Sequence, residues 1–274
     1  MRFLLALALV FFCGAVNAVE LTGTTTQGGL LFGQAEPGSR VLLDGNGVVI
    51  SSVGQFVIGF GRDETGKREL QVLSPDGTVF NRSIVVQRSQ YDIEHVDGLP
   101  PSTVTPDPAA TARIREEARM VGTARQHRDK QAYYSSGFSW PAKGRISGVY
   151  GSQRVLNGKP RNPHFGLDIA APEGTSVFAP ADGLITLTHP DMLLSGGTII
   201  LDHGQGLSST FLHLSKILVE AGTFVEQGDL IARIGATGRA SGPHLDWRMN
   251  WLDKRVNPHV LVEGTPPRLE ESAE

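Results

Sequence analysis

The chain has 274 residues, of which 19% are charged and 7% are aromatic, and its formal net charge is −3. This length allows two domains of ordinary size, each with its own core. The slightly acidic balance gives no support to nucleic-acid binding, and the 33 glycines favour a turn-rich β architecture over a helical one.

Residues 1–18 have the pattern of a secretory signal peptide. Arg2 supplies a positive start, and Phe3–Phe12 is an unbroken apolar run. Val16 and Ala18 place small residues before a cut after Ala18. The run is shorter than the ~20 residues that a spanning helix needs, although an uncleaved membrane anchor is the alternative. We therefore expect an exported protein of the periplasm or cell envelope.

Cys13 is the only cysteine of the chain, and it lies within the predicted signal peptide. The mature chain would then contain no thiol. A disulfide, a cysteine nucleophile and a thiolate zinc ligand are all excluded on this basis, so a metal site has to use His, Asp and Glu.

Residues 19–96 are predicted to form a small β-sandwich-like domain. Apolar and polar residues alternate in short stretches such as Arg40–Leu43 and Gln55–Ile58. Turn dipeptides separate these stretches, among them Asp44-Gly45 and Asp76-Gly77. About six or seven strands at this spacing indicate a sandwich. We interpret it as a spacer or a wall-binding module because its sequence has no cluster of acids or histidines.

Residues 97–135 are predicted to be a linker followed by a connector helix. Asp107 has the character of a helix N-cap and Pro108 that of a first helical residue, and good helix formers continue to about Lys130. The apolar stripe of this helix is narrow, so we expect it to pack on a neighbouring domain. His127 stands among charged residues and is interpreted as solvated.

Residues 136–264 are predicted to form a second, mainly antiparallel β domain, and residues 265–274 a disordered tail. Glycine is dense here, the apolar runs are short, and six of the eight histidines fall in this segment. The candidate chemistry of the chain therefore lies in this second domain.

Three local patterns in the second domain carry that chemistry. They are His164-Phe165-Gly166-Leu167-Asp168, Thr210-Phe211-Leu212-His213-Leu214 and Gly242-Pro243-His244-Leu245-Asp246-Trp247. On a β-strand successive side chains alternate between faces, so His244 and Asp246 would share one face. An imidazole and a carboxylate side by side suit a metal ligand and a proton carrier.

The order and spacing of these patterns, from Phe138 to Pro258, resemble those of the lysostaphin-type zinc metallopeptidases, family M23 of the peptidoglycan endopeptidases. Further matching segments are Trp140-Pro141, Val177–Gly183, Leu201–Gly204, Gly222–Gly228 and Thr237-Gly238. The resemblance implies a C-terminal antiparallel β-sheet groove domain with one zinc ion per chain. It also implies a metalloendopeptidase that hydrolyses peptide cross-links of bacterial peptidoglycan, with cell-wall enzymes or their regulators as further candidate partners.

The resemblance also assigns roles to five residues. His164 and Asp168 correspond to zinc ligands, and His213 and His244 to residues that serve the reaction. The family has a third ligand, a histidine, at the position of Asp246. This substitution is the one serious departure from the family pattern.

An aspartate at position 246 is compatible with a metal site. A carboxylate oxygen and the near ring nitrogen of histidine both lie two bonds beyond Cβ, and aspartate is an accepted zinc ligand. The cost is electronic, because two carboxylates and one imidazole neutralise the charge of the ion and weaken its effect on bound water. The oxygen-rich set also makes the site more tolerant of harder metals such as Mn²⁺.

The reaction implied is metal-assisted amide hydrolysis. One of His213 and His244 would accept a proton from water and return it to the leaving amine, and the other would stabilise the developing oxyanion. The sequence does not decide between these two assignments. His203, after the apolar strand Thr198–Leu201, is predicted to be a structural hydrogen-bonding residue.

Two alternative functions are compatible with parts of the sequence. Segments Val177–Ile185 and Val225–Ile234 resemble the halves of a biotinyl or lipoyl carrier domain. A carrier needs a lysine on the hairpin between its halves. No lysine occurs between Lys159 and Lys216. The other alternative is a catalytically weak or inactive M23-like wall protein that regulates amidases.

Overall fold

The structure is a computed structural model that describes residues 19–96, 108–156 and 158–269. The predicted signal peptide, the predicted linker up to residue 107 and the last five residues of the predicted tail lie outside these residues. The described residues form twenty β-strands, one α-helix and two short 3-10 helices. The predicted mainly β fold with antiparallel sheets is therefore confirmed. No helix among the residues described is long and apolar enough to cross a membrane.

The N-terminal region contains seven strands in two antiparallel sheets. They are β1 (Glu20–Gly23), β2 (Leu30–Gln34), β3 (Arg40–Leu43), β4 (Asn46–Val48), β5 (Gln55–Gly59), β6 (Gly66–Leu73) and β7 (Val79–Val86). One sheet has the order β1-β2-β5 and the other the order β4-β3-β6-β7. The predicted Asp44-Gly45 turn joins β3 to β4. Both of its residues have positive φ, 50° and 78°, as a two-residue hairpin of this kind requires.

Apolar side chains from both N-terminal sheets meet in one core. Phe56 and Ile58 of β5 are completely buried, and Leu70 and Val72 of β6 are 1% exposed. In β6 buried residues alternate with more exposed ones, which is the pattern of a strand with one face on a core. The two sheets therefore pack as a sandwich.

The C-terminal region is built on a ten-stranded sheet whose strands differ in length. Strands of this region, together with the last strand before the linker, are β8 (Ile93–Val96), β9 (Arg145–Gly148), β10 (Gln153–Leu156), β11 (Lys159–Pro160), β12 (Gly166–Ala170), β13 (Ser176–Phe178), β14 (Gly183–Met192), β15 (Gly196–Asp202), β16 (Leu207–Ile217), β17 (Phe224–Val225), β18 (Leu230–Ile234), β19 (His244–Trp251) and β20 (Lys254–Val256). The main path of the sheet is β17-β14-β15-β16-β19-β12-β9. Strand β20 pairs with β19, and β18 pairs with both β13 and β16. All seven residues of β15 are buried, as expected for a central strand with a continuous apolar run.

The N-terminal and C-terminal regions are joined by direct contacts. A single apolar cluster includes buried residues of both regions. At their junction the side chain of Arg62 donates from Nε and Nη2 to the carbonyl oxygen of Gly151, at 3.0 and 2.8 Å. Strand β8, in the segment predicted to belong to the N-terminal domain, pairs in parallel with β10 beyond the linker. The two predicted domains thus share a sheet.

The connector helix α1 spans Pro108–Ala124 and ends earlier than the predicted limit near Lys130. Its apolar stripe packs on the C-terminal sheet. Met120, Val121 and Ala124 contact the buried cluster of Leu187, Met192 and Ile200. After the helix, a tight turn in which Gln126 N–H donates to the Thr123 carbonyl redirects the chain towards that sheet.

His127 is exposed, as its interpretation as a solvated residue predicts, but it also has a buried partner that the sequence did not indicate. Its Nδ1 lies 2.5 Å from Oδ2 of Asp202, at the end of β15. Asp202 is buried, and burial raises the pKa of its carboxyl. The pair with His127 compensates part of that burial and ties the chain after α1 to the sheet.

Candidate metal and catalytic site

The site is built on three neighbouring strands of the C-terminal sheet. In the antiparallel register Asp168 of β12 lies opposite Asp246 of β19, which lies opposite Leu212 of β16. Adjacent strands are separated by about 4.8 Å, so this pairing brings the two carboxylates together on one face. His213 follows Leu212, and His244 occupies the same face of β19 two residues before Asp246.

The predicted ligands His164, Asp168 and Asp246 converge in the structure. Each offers one ligand atom, and these atoms all lie within 4.8 Å of one another. His164 precedes β12, and its Nε2 is 3.1 Å from Oδ1 of Asp168. One nitrogen and two carboxylate oxygens are donors that zinc accepts.

Two of these atoms are buried without a hydrogen-bond partner among the described residues. They are Nε2 of His164 and Oδ1 of Asp168, whose contact does not have hydrogen-bond geometry. A buried polar atom without a partner costs free energy, and a cation between the two atoms would remove that cost. The residues therefore fit a metal ion on structural grounds.

Asp246 is held by an arginine that the sequence reasoning did not consider. Nε of Arg248 donates to both carboxylate oxygens at 3.0 Å, and Nη2 donates to Oδ2 at 2.5 Å. Burial would raise the pKa of Asp246, but Arg248 outweighs it and holds that pKa below its usual value. The alternation that places Asp246 beside His244 also places Arg248 on the same face, so the signal was present in the sequence.

Arg248 changes the net charge around the proposed metal ligands. A second carboxylate in the ligand set was expected to weaken the effect of the metal on water. The guanidinium of Arg248 places one positive charge in contact with that carboxylate. A carboxylate can accept several hydrogen bonds, so the pair with Arg248 leaves Asp246 able to contact an ion as well.

Two glycines make room for the carboxylates. A Cβ atom at Gly148 would lie 2.3 Å from Oδ2 of Asp168, and one at Gly166 would lie 2.0 Å from Oδ1 of Asp246. Distances below 3.0 Å are not tolerated between such atoms. Only glycine at these two positions leaves the carboxylates in their observed places.

The two candidate proton carriers, His213 and His244, lie side by side with ring centroids 4.7 Å apart. Nδ1 of His213 is 2.8 Å from the Thr237 carbonyl, and Nδ1 of His244 is 2.8 Å from the Gly242 carbonyl. A carbonyl only accepts, so each Nδ1 carries the hydrogen and each Nε2 is left as the basic atom. Nε2 of His244 lies 4.0 Å from Oδ1 of Asp168, next to the candidate ligands.

His213 has further features of a reactive residue. Its backbone has φ of 64°, in the left-handed region that few residues other than glycine adopt. Burial lowers the pKa of its ring, against the opposite effect of its bond to Thr237. A lowered pKa keeps the imidazole neutral at neutral pH, which is the form that can accept a proton.

His203 is completely buried, and both of its ring nitrogens are engaged. Nδ1 is 2.8 Å from the Asp182 carbonyl, and Nε2 is 2.8 Å from Oγ of Ser209. Burial lowers the pKa of His203 to about 4. These contacts leave no ring nitrogen of His203 for a metal.

A groove runs across this face of the sheet and contains the candidate site. Its lining includes His164, Asp168 and His213 on the sheet side, and Ile114, Ala118 and Val121 of α1 on the opposite side. The connector helix therefore forms a wall of the groove, a position that its narrow apolar stripe alone did not predict.

Comparison with known proteins identifies the family of this region. Residues 162–258 match the sequence profile of peptidase family M23. The chain is 37% identical over 163 residues to the peptidoglycan DD-endopeptidase ShyA of Vibrio cholerae, covering 54% of this chain and 37% of that protein. It is 37% identical over 103 residues to the DD-carboxypeptidase/endopeptidase Mpg of Neisseria meningitidis, covering 38% of this chain and 24% of that protein.

A solved structure resembles most of the chain. It is a crystal structure of a Pseudomonas aeruginosa protein assigned to peptidase M23, with a TM-score of 0.66 and 28% sequence identity. The similarity covers 87% of this chain and 95% of that one, whereas the chain spans well under half the length of the curated relatives it matches. Taken with the convergence of the motif residues, these matches show that residues 162–258 form a domain of the peptidase M23 type.

Proposed function

We propose that the chain is a zinc-dependent endopeptidase that hydrolyses peptide cross-links of bacterial peptidoglycan. The observation that carries this proposal is the convergence of His164, Asp168 and Asp246, with two buried ligand atoms that have no hydrogen-bond partner among the described residues. The names of the relatives, peptidoglycan DD-endopeptidase and DD-carboxypeptidase/endopeptidase, support the substrate class.

His164, Asp168 and Asp246 would hold one zinc ion. When bound, such an ion supplies a Lewis acid that polarises the scissile carbonyl and makes water more acidic. Arg248 keeps the Asp246 carboxylate ionised and fixed in orientation, which a ligand requires. Gly148 and Gly166 keep both carboxylates in position.

His213 and His244 would move the protons. Each presents a basic Nε2 while a backbone carbonyl holds Nδ1–H. One accepts the proton of the attacking water and delivers it to the leaving amine, and the other donates to the developing oxyanion. Their adjacent rings allow both tasks on one scissile bond.

A non-enzymatic amidase regulator is the less supported alternative. Loss of activity in such a protein would be accompanied by loss of the ligands or of the histidines. Four of the five family residues are present, and the one substitution, Asp246, is accompanied by a compensating arginine, Arg248. We also propose export to the periplasm or cell envelope, from the composition of residues 1–18 and the location of the substrate.

Elemental analysis of the purified protein, combined with digestion of purified peptidoglycan, tests the proposed function. We expect about one zinc per chain and release of fragments whose masses correspond to cleaved peptide cross-links. Asp168→Ala is the matched control and should lose both the metal and the fragments. Zinc-loaded, folded protein that releases no peptide fragments from peptidoglycan would contradict the proposal and favour a regulatory role.

A further inference from the structure

Three arginines lie in the groove beside the candidate metal site. Arg125 follows the end of α1, Arg248 is on β19 and Arg255 is on β20, and all three line the groove that contains His164 and Asp168. We refer to Arg125, Arg248 and Arg255 as the arginine cluster. Arg248 and Arg255 lie on two consecutive, paired strands, whereas Arg125 is distant from both in sequence, so the fold and not a local motif brings Arg125 to them.

The strand register gives the position of the cluster relative to the metal site. Arg248 lies two residues beyond Asp246 on the same face of β19, which corresponds to about 7 Å along a strand. It stands opposite Thr210, and Nη2 of Arg125 donates to Oγ1 of Thr210 at 2.9 Å. Arg255 therefore continues the row, since its cross-strand partner is Asn250, two residues beyond Arg248.

Only one of the three charges has a carboxylate partner among the described residues. Arg248 pairs with Asp246. Nη1 of Arg255 donates to the neutral side-chain oxygen of Asn250 at 3.0 Å, and Arg125 donates to the neutral hydroxyl of Thr210. Nε of Arg125 is buried and has no hydrogen-bond partner among those residues. The cluster thus carries an excess of positive charge and an unused donor.

The crowding of like charges has an electrostatic cost. Burial and then the neighbouring arginines lower the pKa of Arg125 to about 9 and that of Arg255 to about 10. An anion between these side chains would offset both effects and would accept from the unused Nε of Arg125. A purely structural cluster would instead be expected to have its donors and charges satisfied within the protein.

We propose that the arginine cluster binds a free carboxylate of the peptide substrate. This inference rests on the proposed function. The planar guanidinium matches a carboxylate in a paired arrangement, and the groove continues from the metal site to the cluster without leaving the sheet face. Arg248 is two residues beyond Asp246 on β19 and Asn250, the partner of Arg255, is four residues beyond it, about 7 and 13 Å along the strand. These distances correspond to roughly two to four residues of extended peptide, so the carboxylate is on a residue within about four positions of the scissile bond.

The test compares a defined cross-linked peptidoglycan peptide with the same compound after conversion of its free carboxylates to carboxamides. We expect the parent protein to cleave the acid with a kcat/KM about 10- to 100-fold higher, mainly through KM, as for charged hydrogen bonds. Arg125→Gln and Arg255→Gln should each reduce this preference, and the double variant should abolish it. Arg82→Gln, an exposed residue of β7, is the matched control and should keep it.

The far-UV circular dichroism spectrum serves as the folding control, and each variant should have the spectrum of the parent. Equal kcat/KM for the two compounds with the parent protein would overturn the carboxylate site and leave the proposed function intact. If the parent cleaves neither compound, binding of fluorescent forms of both is decisive. If the parent binds the acid more tightly than the amide and the double variant does not, the carboxylate site is supported although the proposed function fails. If the parent binds both compounds equally, the carboxylate site is overturned.

Discussion

The two β regions of the molecule differ in what they bury. In the N-terminal sandwich the buried polar or charged side chains are Ser39, Ser51 and Arg62. In the C-terminal region, among the described residues, they are Thr198, Asp202, His203, Gln205, Ser208, Ser209, Thr210, His213, Asp246 and Asn250. Burial of a polar group is unfavourable unless it is paired, so the C-terminal sheet depends on internal partners, such as Arg248 for Asp246 and Ser209 for His203. The candidate site lies in the region that has more buried polar side chains.

The sandwich nevertheless contributes polar contacts at its junction with the sheet. Nε2 of Gln205, next to the buried His203, donates to the carbonyl oxygen of Gln55 at 2.8 Å. Nζ of Lys254 on β20 lies 2.8 Å from a carboxylate oxygen of Glu64. Because β20 carries part of the arginine cluster, this contact links the sandwich to one side of the groove.

The largest expected difference between the two regions is the loss of function when Asp246 of the C-terminal sheet is removed. Asp246→Ala should abolish both zinc content and hydrolysis, because two remaining protein ligands hold zinc poorly and Arg248 is left buried without its partner. Elemental analysis and peptidoglycan digestion measure the two losses. Asp202→Asn, a change to another buried carboxylate of the same sheet, should keep the metal. Parent-like zinc affinity in Asp246→Ala would refute its role as a ligand.

The second expected effect separates metal binding from proton transfer within the site. His213→Ala and His244→Ala should retain zinc but reduce kcat by about 10²- to 10⁴-fold, as expected for proton carriers. Zinc content and single-turnover rates on a cross-linked peptide measure both quantities. Loss of metal in either variant would show that the histidine is a ligand, and the assignment of the five residues would have to change.

A core change in the sandwich should affect stability without changing the site. Phe56 is completely buried, so Phe56→Ala should lower the free energy of unfolding by about 3–5 kcal/mol. Denaturant unfolding measures this loss, and zinc content of the folded fraction should stay at the parent level. The exposed Val79→Ala in β7 is the control and should change stability little. Metal loss in folded Phe56→Ala would mean that the sandwich shapes the site directly.

The buried histidine of the sheet should make stability depend on pH. His203 has a folded-state pKa of about 4 against an ordinary value of 6.5. The unfolded chain therefore binds the proton first, and the contribution of neutral His203 is complete above pH 6.5 and is lost as the pH falls towards 4. The total loss is about 3 kcal/mol.

Denaturant unfolding at pH 7 and pH 4.5 measures this dependence. His203→Gln should be less stable at pH 7 but should have a flatter pH profile than the parent. Identical slopes for the two proteins would mean that other groups, such as the pair of His127 and Asp202, dominate the acid sensitivity.

The sequence predicted the parts of the molecule that local pattern determines. Alternation along Arg40–Leu43 and the Asp44-Gly45 turn predicted a real hairpin, and the resemblance to the M23 family predicted that His164, Asp168 and Asp246 would converge. The metal and proton-transfer roles of these residues stay predictions. Alternation along β19 also places Arg248 beside Asp246, but this pair was not predicted.

Contacts between distant segments could not be predicted from local sequence patterns. The arginine cluster draws Arg125 from the chain after α1 and Arg255 from β20, and nothing in either local sequence indicates the other. The pair of His127 and Asp202 has the same origin. Its sequence neighbours are charged, which is typical of a solvated segment, while its partner lies at the end of a buried strand.

The parallel pairing of β8 with β10 bears on how such a peptidase domain could be exchanged between proteins. A peptidase unit cut out after the linker would leave behind the strand that pairs with Gln153–Leu156 and expose an unsatisfied sheet edge shortly before His164. A domain transferred without residues 93–96 would therefore need another strand, or a protected edge, at this position.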